Sequence, residues 1–181
     1  MRVLYINDIT IRDAWTQDRE QIRKHLIESY EQYEQHLSAE KWKQYKQEIL
    51  ESAEGSHAMA FLVACWRQEI VGSVQLFDSS DVAYNRPELN IHTPIIRYLA
   101  VSPKARGNGI AERLIRECVK RLREKDAATV HLHTTDMMVA AVKLYERLGF
   151  TRAQEKDFFN GETNVKSYWL QLDTTSGYLE P

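Results

Sequence analysis

Residues 99–111 read Leu-Ala-Val-Ser-Pro-Lys-Ala-Arg-Gly-Asn-Gly-Ile-Ala, which describes a strand end, a short turn and the first turn of a helix. Leu99, Ala100 and Val101 close an apolar run that begins near Ile95. Pro103 has no N–H to give a sheet ladder, so the strand stops before it. From Ile110 the apolar residues fall at Leu114, Ile115, Cys118, Val119 and Leu122, the spacing of one helix face. Between strand and helix stand Gly107 and Gly109, two of the seven glycines in the chain. Glycine lets the backbone turn sharply and lets a ligand reach the amides. The first turn of a helix has unpaired N–H groups and a positive dipole end, so the place suits an anion such as phosphate. Arg106 adds a fixed positive charge beside it. The same residues also read as a plain strand-to-helix turn that needs glycine only for its backbone. Two better-known phosphate loops are excluded. The third glycine of the dinucleotide fingerprint is replaced by Glu112, and no Gly-Lys-Ser/Thr triplet follows.

After the strand Leu-Ala-Val, residues 106–111 spell Arg-x-x-Gly-x-Ala. Further on, residues 141–150 read Ala-Val-Lys-Leu-Tyr-Glu-Arg-Leu-Gly-Phe. The first resembles motif A of the GNAT family of N-acetyltransferases and the second resembles its motif B, in the family's order and at its usual separation. The resemblance spans residues 58–172, and the N-terminal part matches in pattern only. It implies a single-domain α/β fold, with a central mixed, mostly antiparallel sheet of about seven strands flanked by helices. The domain would cover residues 1–173, leaving 174–181 as a tail. It also implies acetyl-CoA as co-substrate. The amides of Gly107, Asn108, Gly109, Ile110 and Ala111 would face the pyrophosphate together with Arg106. The backbone of Leu99, Ala100 and Val101 would pair with the pantetheine arm, and an amide there would polarise the thioester carbonyl. Tyr145 matches the tyrosine that the family places near the thioester sulfur; a core aromatic at helical spacing is its other reading. Many members carry Asn seven residues earlier, where this chain has Met138, so that cofactor contact is not expected.

A length of 181 residues suits one domain with a full core. The formal charge of −2 argues against nucleic acid as a partner, because phosphate-backbone binding needs a basic surface. The longest apolar run, Ala58–Trp66, is too short to span a bilayer, and the first residues lack a signal-like apolar segment. Neither a membrane nor a secretory route is expected, and the cytoplasm is the expected compartment. Cys65 and Cys118 form no disulfide framework and read as small core residues.

Taken in order, residues 2–12 alternate as a first strand. Thr16 and Asp18 offer helix-start chemistry. Ile22, Leu26, Tyr30, Tyr33 and Leu37 then lie on one face of a long helix. Ser38 caps a second helix with Trp42, Tyr45 and Ile49. This pair either presents solvated faces or borders a substrate cleft. Ala58–Trp66 and Ile70–Phe77 form a hairpin, with Gly72 read as a bulge. Asp78–Thr93 reads as a long structureless connection, a length typical of functional loops, and its Asp81 and Arg86 are expected to shape an acceptor site. In the strand Thr129–Thr134, Val130 and Leu132 share one face, with His131 and His133 on the other. Met137–Leu148 is helical and Gly149 ends it. Phe150–Phe158 and Val165–Leu172 are strands joined by a turn at Asn160-Gly161. Asp173–Pro181 reads as a loose tail.

By resemblance the reaction is direct attack of a primary amine, from a small molecule or peptide, on acetyl-CoA in a ternary complex. At pH 7 the neutral form of an alkyl ammonium costs about 4.6 kcal/mol to reach, so a base must take the proton. Related enzymes often place a Glu four residues before the Leu of motif A; Ile95 stands there and cannot serve. Glu88, held by Pro87, and His92 are the nearest candidates, and Glu88 is chosen, acting directly or through water. A solvated loop carboxylate is its other reading. His131 and His133 lack further ligands at metal spacing, so no metal is expected. A non-catalytic acyl-CoA-binding or sensor domain on the same fold is the alternative to an enzyme. The acceptor is not legible in the sequence, and a homodimer stays open.

Overall fold

The computed structural model describes residues 8–172. The strands are β1 (Ile9–Asp13), β2 (Ala60–Trp66), β3 (Glu69–Phe77), β4 (Ile95–Val101), β5 (Thr129–Thr135), β6 (Thr151–Arg152), β7 (Phe158–Phe159) and β8 (Asn164–Gln171). The helices are α1 (Arg19–Tyr30), α2 (Ala39–Ser52), α3 (Ser80–Tyr84), α4 (Ile110–Arg123) and α5 (Val139–Arg147). The sheet has eight strands in the order β1-β2-β3-β4-β5-β8-β6, with β7 also pairing β8. β4 and β5 run parallel, while β1–β2, β5–β8, β6–β8 and β7–β8 are antiparallel. Asn7 and the residues before it in the expected first strand, and the expected tail, lie outside the described residues. The chain divides into two compact units, Met1–Gln75 with Tyr98–Ile115, and Leu76–Arg97 with Arg116–Pro181.

In the first unit β1 pairs β2 in the register Ile9↔Trp66 to Asp13↔Leu62. Asp18 accepts from the Trp15 amide at 2.7 Å and pairs with Arg12 at 2.6 Å, which fixes the entry to α1. α1 buries Ile22, His25, Leu26, Ser29 and Tyr30. The expected long helix is shorter than its apolar spacing suggests. At Glu31–His36 it tightens into a 3-10 turn with no buried residue, and Leu37 is extended. Tyr33 packs its ring 6.0 Å from that of Tyr30, but with no residue fully buried the stretch has little to hold it as α-helix. The Ser38 hydroxyl accepts from the Lys41 amide at 3.3 Å and starts α2, as expected of a cap. Gly72 sits within β3. A Cβ there would come within 2.8 Å of Ile110 Cγ2 and 3.1 Å of Leu114 Cδ1, so the missing side chain lets the start of α4 lie close on the strand.

In the second unit the register of β5 on β8 runs from Thr129↔Gln171 to Thr135↔Val165. The Asp78–Thr93 connection is not structureless. Ser79 caps α3, which ends at Asn85 in the left-handed region (φ 54°), and Pro87–Leu89 forms a 3-10 turn. The segment closes on itself because the Ser80 amide donates to the Ile91 carbonyl at 2.9 Å, and Ala83, Leu89 and Ile91 are buried. The expected strand Phe150–Phe158 is likewise divided into β6 and β7 by a 3-10 turn at Gln154–Lys156. Ala153 is drawn inward, its amide donating to the Ser167 carbonyl, while Lys156 donates to the carbonyls of Leu89 and Asn90. Gly149 ends α5 at φ 87°, where a side chain would be strained. The turn after β7 spans residues 160–163, held by Asn160 Oδ1 accepting from the Glu162 and Thr163 amides.

Candidate active site

Tyr98, one residue before Leu99, takes φ 54°, rare for a bulky strand residue, and its phenol donates to Glu48 Oε1 at 3.0 Å. The Leu99 carbonyl accepts from the Tyr30 hydroxyl at 3.2 Å and the Val101 carbonyl from Arg106 Nε at 3.2 Å. Ala100 is buried. The strand leaves the sheet through Ser102, whose amide donates to the Val71 carbonyl at 2.9 Å, and a 3-10 turn at Pro103–Ala105 follows.

Gly107 and Gly109 both adopt the left-handed region, at φ 78° and 69°. A Cβ on Gly107 would meet no atom within 4 Å, so this face of the turn is open. The side chain of Asn108 folds back to the carbonyls of Ala105 and Arg106, both at 3.1 Å, and braces the turn. Helix α4 begins at Ile110, and the Arg113 amide is bonded to the Gly109 carbonyl. The first turn of a helix carries N–H groups that the helix itself does not use, the arrangement that receives anions. Arg106 is exposed, but its guanidinium also has structural partners: Gln32 Oε1 at 2.9 Å and the Ser29 carbonyl at 3.0 Å.

Behind the turn lies a residue that sequence reasoning passed over. His25, 2% exposed, contacts Ser102 Oγ through Nδ1 at 2.8 Å and Ser73 Oγ through Nε2 at 3.2 Å. Burial, with some help from the Lys104 charge, lowers its pKa to about 4, so the ring is neutral at pH 7. The only sequence signal was a polar residue on the apolar face of α1.

In the second unit Tyr145 is buried on α5, its ring 5.9 Å from that of Phe150 and 6.5 Å from that of Tyr168. Met138 stands at the N-cap of α5 without a side-chain capping bond. Glu88 is exposed on the Pro87–Leu89 turn and pairs with Arg86 at 3.4 Å. The Arg86 guanidinium also lies 4.8 Å from the centre of the Phe158 ring, which gives that loop residue a packing role. His92 is exposed, with Nε2 2.6 Å from Asn90 Oδ1. Asp81 is exposed, its carbonyl accepting from the Asn85 amide. The two strand histidines do not share a ligand set. His131 Nδ1 meets Thr93 Oγ1 at 2.9 Å, and His133 Nδ1 meets the Tyr84 hydroxyl at 2.9 Å. Burial, then the positive charges of His131 and Arg97, lowers the His133 pKa to about 3. Among the described residues no group of three or more His, Cys, Asp or Glu side chains could hold a metal ion, and no helix is long and apolar enough to cross a membrane.

Known proteins resemble this chain in sequence and in fold. N-acetyltransferase 8B of Rattus norvegicus is 29% identical over 124 residues, 64% of this chain and 54% of that protein. The chain thus spans about half the length of the relatives it matches. The PaiA N-acetyltransferase of Thermoplasma acidophilum, solved in complex with coenzyme A, has the same fold: TM-score 0.63, 17% identity, 88% of this chain and 97% of that one. A GNAT-family acetyltransferase of Staphylococcus aureus aligns with TM-score 0.68 and 18% identity over 91% of this chain and 99% of that one. The model of the Acetyltransferase (GNAT) family matches residues 19–150, a stretch that holds the glycine turn, α4 and Tyr145, and the chain belongs to that family.

Proposed function

We propose that this chain transfers the acetyl group of acetyl-CoA to a primary amine in a ternary complex, with residues 1–173 as the catalytic domain. The observation that carries the reading is the turn at Gly107–Gly109. It is left-handed at both glycines, open at Gly107, and opens a 14-residue helix inside the family match. The residues fit the cofactor: the amides of residues 107–111 and the remaining N–H groups of Arg106 would hold the pyrophosphate. The backbone of Leu99–Val101 would align the pantetheine arm. Acetyl-CoA supplies an activated thioester. The amine nitrogen attacks the acyl carbon and the C–S bond breaks. Glu88 accepts the amine proton, directly or through water, and Tyr145 donates a proton to the departing thiolate.

The test is thermal denaturation with acetyl-CoA, followed by thiol release over a panel of amines. At about 100 times its dissociation constant a ligand adds about 2.7 kcal/mol. For a chain of this size that raises Tm by roughly 5–10 °C, while NADH or ATP should do much less. Gly109→Val should abolish the rise, because a β-branched residue is strained at φ 69° and would crowd the amides. No rise with acetyl-CoA would refute the reading. A rise without thiol release from any amine would favour the acyl-CoA sensor instead.

A further inference from the structure

One face of α1 and its 3-10 continuation presents His25, Ser29 and Gln32, spaced one turn apart, and all three reach residues 102–106. His25 meets Ser102 Oγ, the Ser29 carbonyl accepts from Arg106 Nη2, and Gln32 Oε1 accepts from Arg106 Nη1. Ser29 is itself tied to His25, its hydroxyl donating to the His25 carbonyl at 2.8 Å. Ser102 is the pivot of this arrangement. Its amide is bonded to Val71, its carbonyl accepts from the Ala105 amide at 2.8 Å, and its hydroxyl meets the imidazole. The loop that turns at Gly107 leaves the sheet from this one residue.

A buried imidazole is a costly filler. His25, Ser73 and Ser102 are each 2% exposed or less, and an apolar side chain would fill the same space without polar groups to satisfy. Both ring nitrogens are partnered. In the neutral ring one nitrogen donates and the other accepts, so one serine hydroxyl gives its proton to the ring and the other receives one from it. A buried network with both ring nitrogens partnered favours one arrangement of the elements it joins.

We infer that His25 is a positioning residue for the acetyl-CoA loop, setting through Ser102 where Arg106 to Gly109 stand. The inference rests on the reading proposed above. It concerns cofactor affinity, and its two ring contacts make separate predictions. Asn places its amide where Nδ1 lies, so His25→Asn keeps the reach to Ser102. Gln places its amide where Nε2 lies, so His25→Gln keeps the reach to Ser73 and loses Ser102.

The experiment measures the acetyl-CoA dissociation constant by calorimetry for wild type, H25N, H25Q, S102A and S73A, beside the Tm of each free protein. H25Q and S102A should each weaken acetyl-CoA about tenfold, the size of one lost hydrogen-bonded contact. H25N and S73A should stay within about twofold of wild type. The H25Q/S102A double variant should be no weaker than the stronger-affected single variant, since both remove one contact. In the free proteins, the amide NMR shifts of Arg106 and Gly107 should move in H25Q and S102A and hold in S73A. The inference is overturned if affinity merely follows free-protein Tm, with H25N and H25Q losing alike. It is equally overturned if S73A matches S102A. S102A removes one oxygen, so it keeps the test open should a His25 variant fail to fold. Wild type failing to bind acetyl-CoA would sink the proposed function alone, and the amide shifts would still decide whether His25 positions the loop.

Discussion

Lowering the pH from 7.5 to 5 should destabilise this protein by about 4 kcal/mol, through two histidines buried in the neutral form. The ordinary histidine pKa is 6.5; His25 is lowered to about 4 and His133 to about 3, in each case chiefly by burial. Lys104 adds to the effect at His25. His131 and Arg97 add to it at His133, against an opposing contribution from Asp157. Below 6.5 the unfolded chain takes up protons that the folded chain refuses, so stability falls as pH falls. Each group contributes about 1.4 kcal/mol per pH unit until its folded value is reached. At pH 5 both groups are about 1.5 units into that window, which gives about 2 kcal/mol each. His131, also lowered by burial, acts in the same direction. Asp18 and Asp157 do not confuse the measurement. Their partners Arg12 and Arg152 hold them below the usual 3.8, so their stabilisation is lost only as pH falls below that value. The assay is urea denaturation at constant ionic strength and several pH values, with Tm alongside, where a fall of roughly 10 °C is expected. His25→Asn and His133→Asn should each remove about half of the slope. A wild-type stability that is flat from pH 7.5 to 5, or a slope unchanged in both variants, would refute the reasoning.

Tyr145→Phe should lower turnover about 10²-fold, the low end for a general acid, because a thiol leaves fairly well without a proton. The acetyl-CoA-dependent rise in Tm should be retained, and unchanged turnover would return the residue to a purely packing role. Glu88→Gln should remove the acidic limb of the kcat/KM pH profile. If the limb survives there and vanishes in His92→Ala, the base is His92.

The strand, glycine turn and helix from Ile95 to Arg123 were legible because each is encoded by neighbours in sequence. A 3.6-residue apolar period, a proline that cannot join a ladder and glycines that accept positive φ act over a few residues. The Ser38 cap and the end of α5 at Gly149 are of the same kind. The readings that changed were those where a distant partner decides. Spacing alone extends α1 to Leu37, but none of residues 31–36 is fully buried and they tighten into a 3-10 turn. Asp78–Thr93 looks polar and loose in sequence, yet the bonds between Ser80 and Ile91 and the burial of Ala83 and Leu89 fold it. The phosphate reading of Arg106 stands as it was, but its added partners Ser29 and Gln32, more than seventy positions away, leave no mark in the local sequence. His25 lies 48 residues from Ser73 and 77 from Ser102, and no local pattern links the three. Periodicity decides which side of an element is buried, but a buried polar atom must find its partner wherever the folded chain brings one, and only the tertiary structure decides which residue that is.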